Sequence, residues 1–307
     1  YPIAPLLVNL GVRYEISKQW VDYYTDGGKA ERSELNKNDL FPSLNMKYQM
    51  NEKNSLRFAF SRTVTRPSFI EMAPFLYQES YGSAQIRGNA DLQNGYNYNI
   101  DLRYELFEKN GDMLSITAYY KHLKAPIERV QTLSGGSAVH SFRNADNGMA
   151  TGVEIEFRKE IVKDLRFGVN GSYMYTNVKL PEGGAYTNSQ RALQGASPYL
   201  ANADLTYSPA FSNNRQLSVA LLYNLQGPRI HSVGISGLGD IKQQPVHTLN
   251  FTGSYRFNRR FAVKLQVNDL LNQDILFKQE VPTTGDKVEV ERFRKGTGFE
   301  VGFSYDL

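Results

Sequence analysis

Residues 296–307 read GTGFEVGFSYDL. Phe299, Val301, Phe303, Tyr305 and Leu307 share one parity, and Glu300, Gly302, Ser304 and Asp306 share the other. A period of two is that of a β-strand, here with one apolar and one polar face. Chain ends usually fray into polar tails. A pattern that runs to the final apolar residue is therefore expected to be pinned in a sheet. An apolar stripe of this length fits the lipid-facing side of the closing strand in an outer-membrane β-barrel.

Working back from this strand, the same alternation recurs eleven more times. Phe261, Val263, Leu265 and Val267 alternate with Lys264, Gln266 and Asn268. Leu249 to Phe257 and Leu217 to Tyr223 repeat it, as do Tyr199 to Tyr207 and Leu165 to Tyr175. Earlier segments are expected at about 4–24, 40–50, 55–66, 95–107, 113–130 and 149–159. In the last six segments the apolar parity carries no charge. A lipid-facing Arg or Lys at mid-bilayer costs about 2–4 kcal/mol, which explains the exclusion. The connections alternate in length. Short turns are expected at 51–54, 108–112, 161–163, 209–215 and 258–260. Longer loops are expected at 25–38, 67–94, 131–147, 179–196, 227–244 and 273–295. Short periplasmic turns and long outer loops are the pattern of membrane barrels. A soluble β-sandwich also alternates, but its strands run about 5–6 residues, and nothing in it sends every long loop to one side. The fold class is therefore all-β, an antiparallel transmembrane barrel sheet of about 12 strands.

Composition excludes several other classes. The 307 residues hold 20 Tyr and 17 Phe against a single Trp, and no run approaches the roughly 18 apolar residues of a helical span. With no Cys there is no disulfide framework or thiolate metal site. The net charge of +4 is spread along the chain, without the basic patch that a nucleic-acid partner needs. The opening YPIAPLLVNLG lacks a charged start and shows no signal peptide. The expectation is an internal piece of a longer polypeptide.

The stretch SRTVTRPSFIEMAPF at 61–75 resembles the barrel of TonB-dependent outer-membrane receptors, especially the Bacteroidetes-type set. So do LGVRYE at 10–15, DLFPSL at 39–44, RGNADL at 87–92, YYKH at 119–122 and NAD at 144–146. GVEIE at 152–156, SPYLAN at 197–202 and NDLLN at 268–272 complete the series. No single motif is specific, but their order and spacing are. The resemblance implies a 22-stranded barrel filled by an N-terminal plug domain that reaches TonB, ExbB and ExbD. Neither plug nor TonB box lies in this chain, so residues 1–307 would be the last 12 strands. The implied partners are the missing plug and first strands, the TonB machinery and outer-membrane lipid. A surface lipoprotein is allowed. No cofactor is implied.

The resemblance also implies that lumen glutamates of the GVEIE motif pair with plug arginines, which selects Glu154 and its neighbour Glu156. A second family glutamate aligns with Asn99, with Asp101 two residues on, and Ala90 replaces the family's proline. Arg62, Arg66 and Glu71 could tie the top of the third strand to the plug or to a neighbouring loop, with plain loop ion pairs as the equal alternative. Lys264 and Arg166 are expected inward. His140 and His231 fall in outer loops, where a haem or chelate could touch them, although solvated loop histidines are the default. His122 and His247 lie near strand ends with no nucleophile motif, so no enzyme activity is expected. The sequence leaves two transport readings, an active receptor for a scarce large ligand and a self-closed twelve-strand passive channel.

Overall fold

The computed structural model describes every residue except 1, 4, 26, 79–84, 135–136, 182–185, 212–213, 235–236, 282 and 307. The expected last outward residue, Leu307, and the expected start at Ala4 lie outside the described residues. Twelve long strands form one antiparallel sheet in chain order. They are β1 (Leu6–Tyr24), β2 (Ala30–Gln49), β3 (Asn54–Thr65), β4 (Gly95–Phe107), β5 (Met113–Lys124) and β6 (Asn147–Val162). The series continues with β7 (Leu165–Lys179), β8 (Tyr199–Tyr207), β9 (Gln216–Gln226), β10 (Val246–Arg256), β11 (Phe261–Asn268) and β12 (Gly298–Tyr305). The two-residue strands Pro2–Ile3 and Gln190–Arg191 add short edges to β1 and β7.

Register turns the alternation into two faces. Phe167, Leu205, Leu221, Phe251, Val267 and Phe299 stand side by side across six strands. Their neighbours in sequence give the other face, where Asn170, Asn202 and Asn224 form a ladder with bonds of 2.7 and 2.5 Å. Leu10 is 80% exposed, Phe299 75% and Phe303 72%. In a sandwich these residues would be the core. Exposed as one continuous stripe, they require an apolar solvent, and the sandwich reading fails.

The sheet is open. Among the described residues β1 has a short outer partner strand at Leu6 and Leu7 and no strand partner on that side above Val8, and β12 pairs only with β11. The self-closed twelve-strand barrel is therefore not formed.

Three boundaries differ from expectation. β2 starts at Ala30 rather than near 40, so the expected loop 25–38 is a tight turn closing a hairpin of 19- and 20-residue strands. At about 3.3 Å per residue these span roughly 60 Å, well beyond a membrane belt of about 25 Å. The outward parity turns polar above the belt, with Lys18, Arg32, Glu34 and Asn36, so the apolar signal stops while the strand continues. Next, β5 ends at Lys124 rather than near 130. Ala125 takes a left-handed conformation (φ 52°) ahead of Pro126, and Ile127–Ser134 belongs to a different sheet. Finally, the long loops are themselves folded. Leu76–Tyr77, Ile86–Arg87, Ser137–Asn144 and Ile127–Ser134 pair in that order as one four-stranded sheet, and Arg229–Ser232, Ile241–Gln243, Ile275–Glu280 and Lys287–Phe293 form a second. These sheets stand above the wall. The buried apolar cluster of Val130, Ala145, Val178 and Leu180 joins the first of them to the top of β7.

Candidate functional site

The polar face of β3, β4 and β6 carries a connected set of charges. The turns at 51–54 and 108–112 close the hairpins at one end, and near that end Glu105 is buried. It accepts from Arg57 Nε at 2.7 Å and Ser55 Oγ at 3.0 Å, and Arg103 Nε lies 3.0 Å away. Arg158 holds Glu156 at 2.7 Å, and Arg103 reaches the same carboxylate at 4.0 Å. The result is a cross-strand chain, Arg57–Glu105–Arg103–Glu156–Arg158, spanning β3, β4 and β6.

Glu154 sits one register step higher, opposite Thr117 on β5. It lines a cleft of about 370 Å³ together with Asp101, Arg57, Arg103 and Lys47. Among the described residues neither Glu154 nor Asp101 has an ion pair. The cleft thus presents two carboxylates beside three cations, on the wall that a barrel would enclose. The glycine of the motif has a steric reason. A Cβ on Gly152 would meet Tyr119 Oη at 2.6 Å and the Tyr173 carbonyl at 2.4 Å. Asn99 lies higher and donates towards Ser61 and Thr63 at 3.3 Å. Inward Lys264 faces Ser254 and Gly302, and Arg166 faces Glu160 and Thr206.

The predicted group at the top of β3 separates. Ladder pairing between β2 and β3 stops at Ser43 and Ser61, beside Pro42, which carries no N–H. Arg62 fills the divergence. It donates to the Leu40 carbonyl at 2.8 Å, approaches Asp39 at 3.6 Å and lies over the Tyr96 ring at 4.5 Å. Arg66 reaches Glu15 on β1 at 2.6 Å. Glu71 joins neither. It caps the short helix α1 (Phe69–Met72), accepting from Ser68 N at 2.7 Å, while Ser68 Oγ accepts from Glu71 N.

His140 is buried in the outer layer rather than solvated. Its Nδ1 accepts from Arg129 Nε at 2.8 Å and its Nε2 lies 3.1 Å from Ser232 Oγ. Burial first, then the neighbouring Arg129 and His231, pull its pKa down to about 4. His231 is exposed and packs edge-on to Phe277 at 4.7 Å. Glu71, His231, Arg129 and Arg229 line one outer-layer cleft of about 300 Å³. Sequence reasoning missed the Glu128–Arg191 pair, 2.9 Å apart with both side chains buried. Burial pushes the Glu128 carboxyl up, against the pull of Arg191. It also missed the two Tyr–His contacts at the top of the lipid face, Tyr98 with His122 and Tyr223 with His247. Among the described residues no three His, Asp or Glu side chains gather as a metal site.

A profile of the outer membrane protein beta-barrel family matches residues 3–305. The chain belongs to that family. Its place is the outer membrane of a Gram-negative cell. The ferric enterobactin receptor of Pseudomonas aeruginosa is 21% identical over 270 residues, 81% of this chain but 35% of that protein. Among solved structures, the ferric yersiniabactin uptake receptor of Yersinia pestis superposes with a TM-score of 0.67 at 14% identity, covering 98% of this chain and 43% of that one. The siderophore receptor PirA of Acinetobacter baumannii gives 0.63 at 16%, with shares of 98% and 43%. This family member thus spans less than half the length of these relatives, and at such identities the structural likeness establishes the fold alone.

Proposed function

We propose that residues 1–307 are the C-terminal part of the barrel of a TonB-dependent receptor, of the Bacteroidetes-type set, that imports a scarce, large ligand. The observation that carries this reading is the open sheet. Among the described residues, the outer edge of β1 above Val8 and the outer edge of β12 leave ladder N–H and C=O groups unpaired in lipid, at several kcal/mol each. Further strands of the same barrel would satisfy them, and the larger size of the relatives leaves room for those strands and for a plug. The lumen cleft supports the same reading. Glu154 and Asp101, free of ion pairs among the described residues, suit arginines of an inserted plug, because an unpaired buried carboxylate is costly. Glu156 is already held by Arg158 and serves the wall. The partners are then the plug and first strands, and TonB–ExbB–ExbD acting through the plug, with a surface lipoprotein as a further candidate. The chain itself supplies the wall and the outer layer that captures ligand, and it does no chemistry.

The relatives' names make a ferric siderophore the first cargo to test. The whole gene product, expressed in a receptor-free strain, is expected to take up radio-iron supplied as ferric enterobactin and to lose that uptake when TonB is deleted. Uptake that persists without TonB would overturn the active-transport reading. No uptake in either strain would overturn the cargo assignment.

A further inference from the structure

The β7–β8 ladder runs from Leu165 opposite Tyr207 to Tyr173 opposite Tyr199, and the next pairing on that edge of β7 is Val178 with Arg191. Residues 174–177 border the interval, bridged by Met174 N to Pro198 O at 2.7 Å and Leu193 N to Thr176 Oγ1 at 3.1 Å. A cleft of about 620 Å³ opens there, lined among others by Tyr173, Tyr175, Arg191, Arg229, Asp240 and Lys242. Arg191 is buried, and its Nε and Nη2 have no hydrogen-bond partner although Nη1 faces Glu128. Asp240, the one acid in that set, already accepts from Gly234 N.

Tyr173 and Tyr175 lie on the lipid parity, 65% and 56% exposed. They also line an apolar groove of about 470 Å³ along the lipid face, walled by Ile100, Leu102, Tyr120 and Val153. The groove exists because Ala118 is small where its cross-strand neighbours are Leu102 and Val153. At the same height as the cleft, outward cations stand in register. Lys124 is opposite Tyr96 and Asn147, and Lys179 is opposite Asn147 and Gln190. One step below, His122 stands opposite Tyr98 and Met149. Neither row contains an acid, and among the described residues neither lysine has an ion pair.

A polar, cationic cleft directly above an apolar groove has the shape of an amphiphile. We propose that this flank binds the phosphorylated glucosamine glycolipid of the outer leaflet, with its headgroup phosphate at the cleft and its acyl chains in the groove. Lys124, Lys179, Lys242 and Arg229 supply charge to the phosphate, and the unpaired Arg191 N–H groups supply directed donors. The shared tyrosines favour this over a soluble anion, because a lumen cargo would have no use for a lipid-side groove.

The test uses the full-length gene product in detergent, with bound lipid read by native mass spectrometry. Bis-phosphorylated lipid A is expected to bind at least tenfold more tightly than its dephosphorylated form. The triple variant Lys124→Gln/Lys179→Gln/Lys242→Gln is expected to lose that preference. Lys109→Gln/Lys163→Gln, at the opposite end of the wall, is expected to keep it. Equal binding of both lipids, or a triple variant that binds as the parent does, would overturn the proposal. Soluble glucosamine 1-phosphate binding as tightly as lipid A would overturn the lipid assignment. None of these readouts depends on the cargo or on TonB.

Discussion

In the wall, Phe167, Leu205, Leu221 and Phe251 stand shoulder to shoulder on one face, while Asn170, Asn202 and Asn224 hydrogen-bond along the other. In the layer above, Glu128 and Arg191 are buried on the strands that also carry or pair with Val130 and Val178, and His140 is sealed between Arg129 and Ser232. The wall has a different solvent on each side, so its apolar residues are outside and the Arg57–Glu105–Arg103–Glu156–Arg158 chain lines the enclosed face. The outer layer stands in water and must build an ordinary core from short strands. The two regions should therefore fail in different ways when changed.

The largest effect is expected in the outer layer. Arg191→Met leaves Glu128 buried without its partner, at a cost of about 3–5 kcal/mol. Hydrogen exchange should quicken across 127–144 and 190–194 while β8–β11 stay protected. Loss of protection in both regions would show that they are one cooperative unit.

Next comes the wall. Leu221 faces lipid and Leu222 faces inward, one residue apart. Leu221→Arg should cost about 2–4 kcal/mol in a lipid refolding titration, whereas Leu222→Arg should be close to neutral. Equal costs would mean that the two faces are not in different solvents.

A smaller effect is pH-dependent. His140 has a folded pKa of about 4 against an ordinary 6.5, so the unfolded layer binds the extra proton between those values. Its contribution is fully present above about pH 6.5 and is lost as the pH falls towards 4. Outer-layer exchange protection should decline over that window, and His140→Gln should flatten the decline. The smallest expected change is functional. Glu154→Ala in the intact protein should loosen plug seating and lower the inhibitory concentration of hydrophilic antibiotics severalfold. Unchanged leak would remove Glu154 from the plug contact.

The same contrast decides what could be read from the sequence. The twelve strands were legible wherever lipid enforced alternation, as at Phe299 to Tyr305. β2 disappeared from view above Leu40, where Asn38, Asn36 and Glu34 face outward into water and the buried inner side of Ser33, Leu35 and Asp39 holds one apolar residue. The end of β5 turned on the backbone of Ala125, for which residue identity carries little signal. Glu154, singled out by its motif, and Asp101, two residues beyond the aligned Asn99, line one cleft. Glu128 and Arg191 were missed because their pairing joins residues 63 positions apart across two sheets, and no local pattern encodes that. The pairing of Glu71 with Ser68 was visible as a capping box, S-x-x-E at 68–71, and was passed over in favour of ion pairing.

The central claim is that this open sheet is part of a larger barrel. The chain 1–307, refolded alone in outer-membrane lipid, should give no heat-modifiable monomer and no stable conductance. Co-refolding with the remainder of the gene product should restore the heat-modifiable species and protect the β1 edge amides above Val8 from exchange. A heat-modifiable, ion-conducting monomer formed by the chain alone would contradict the account.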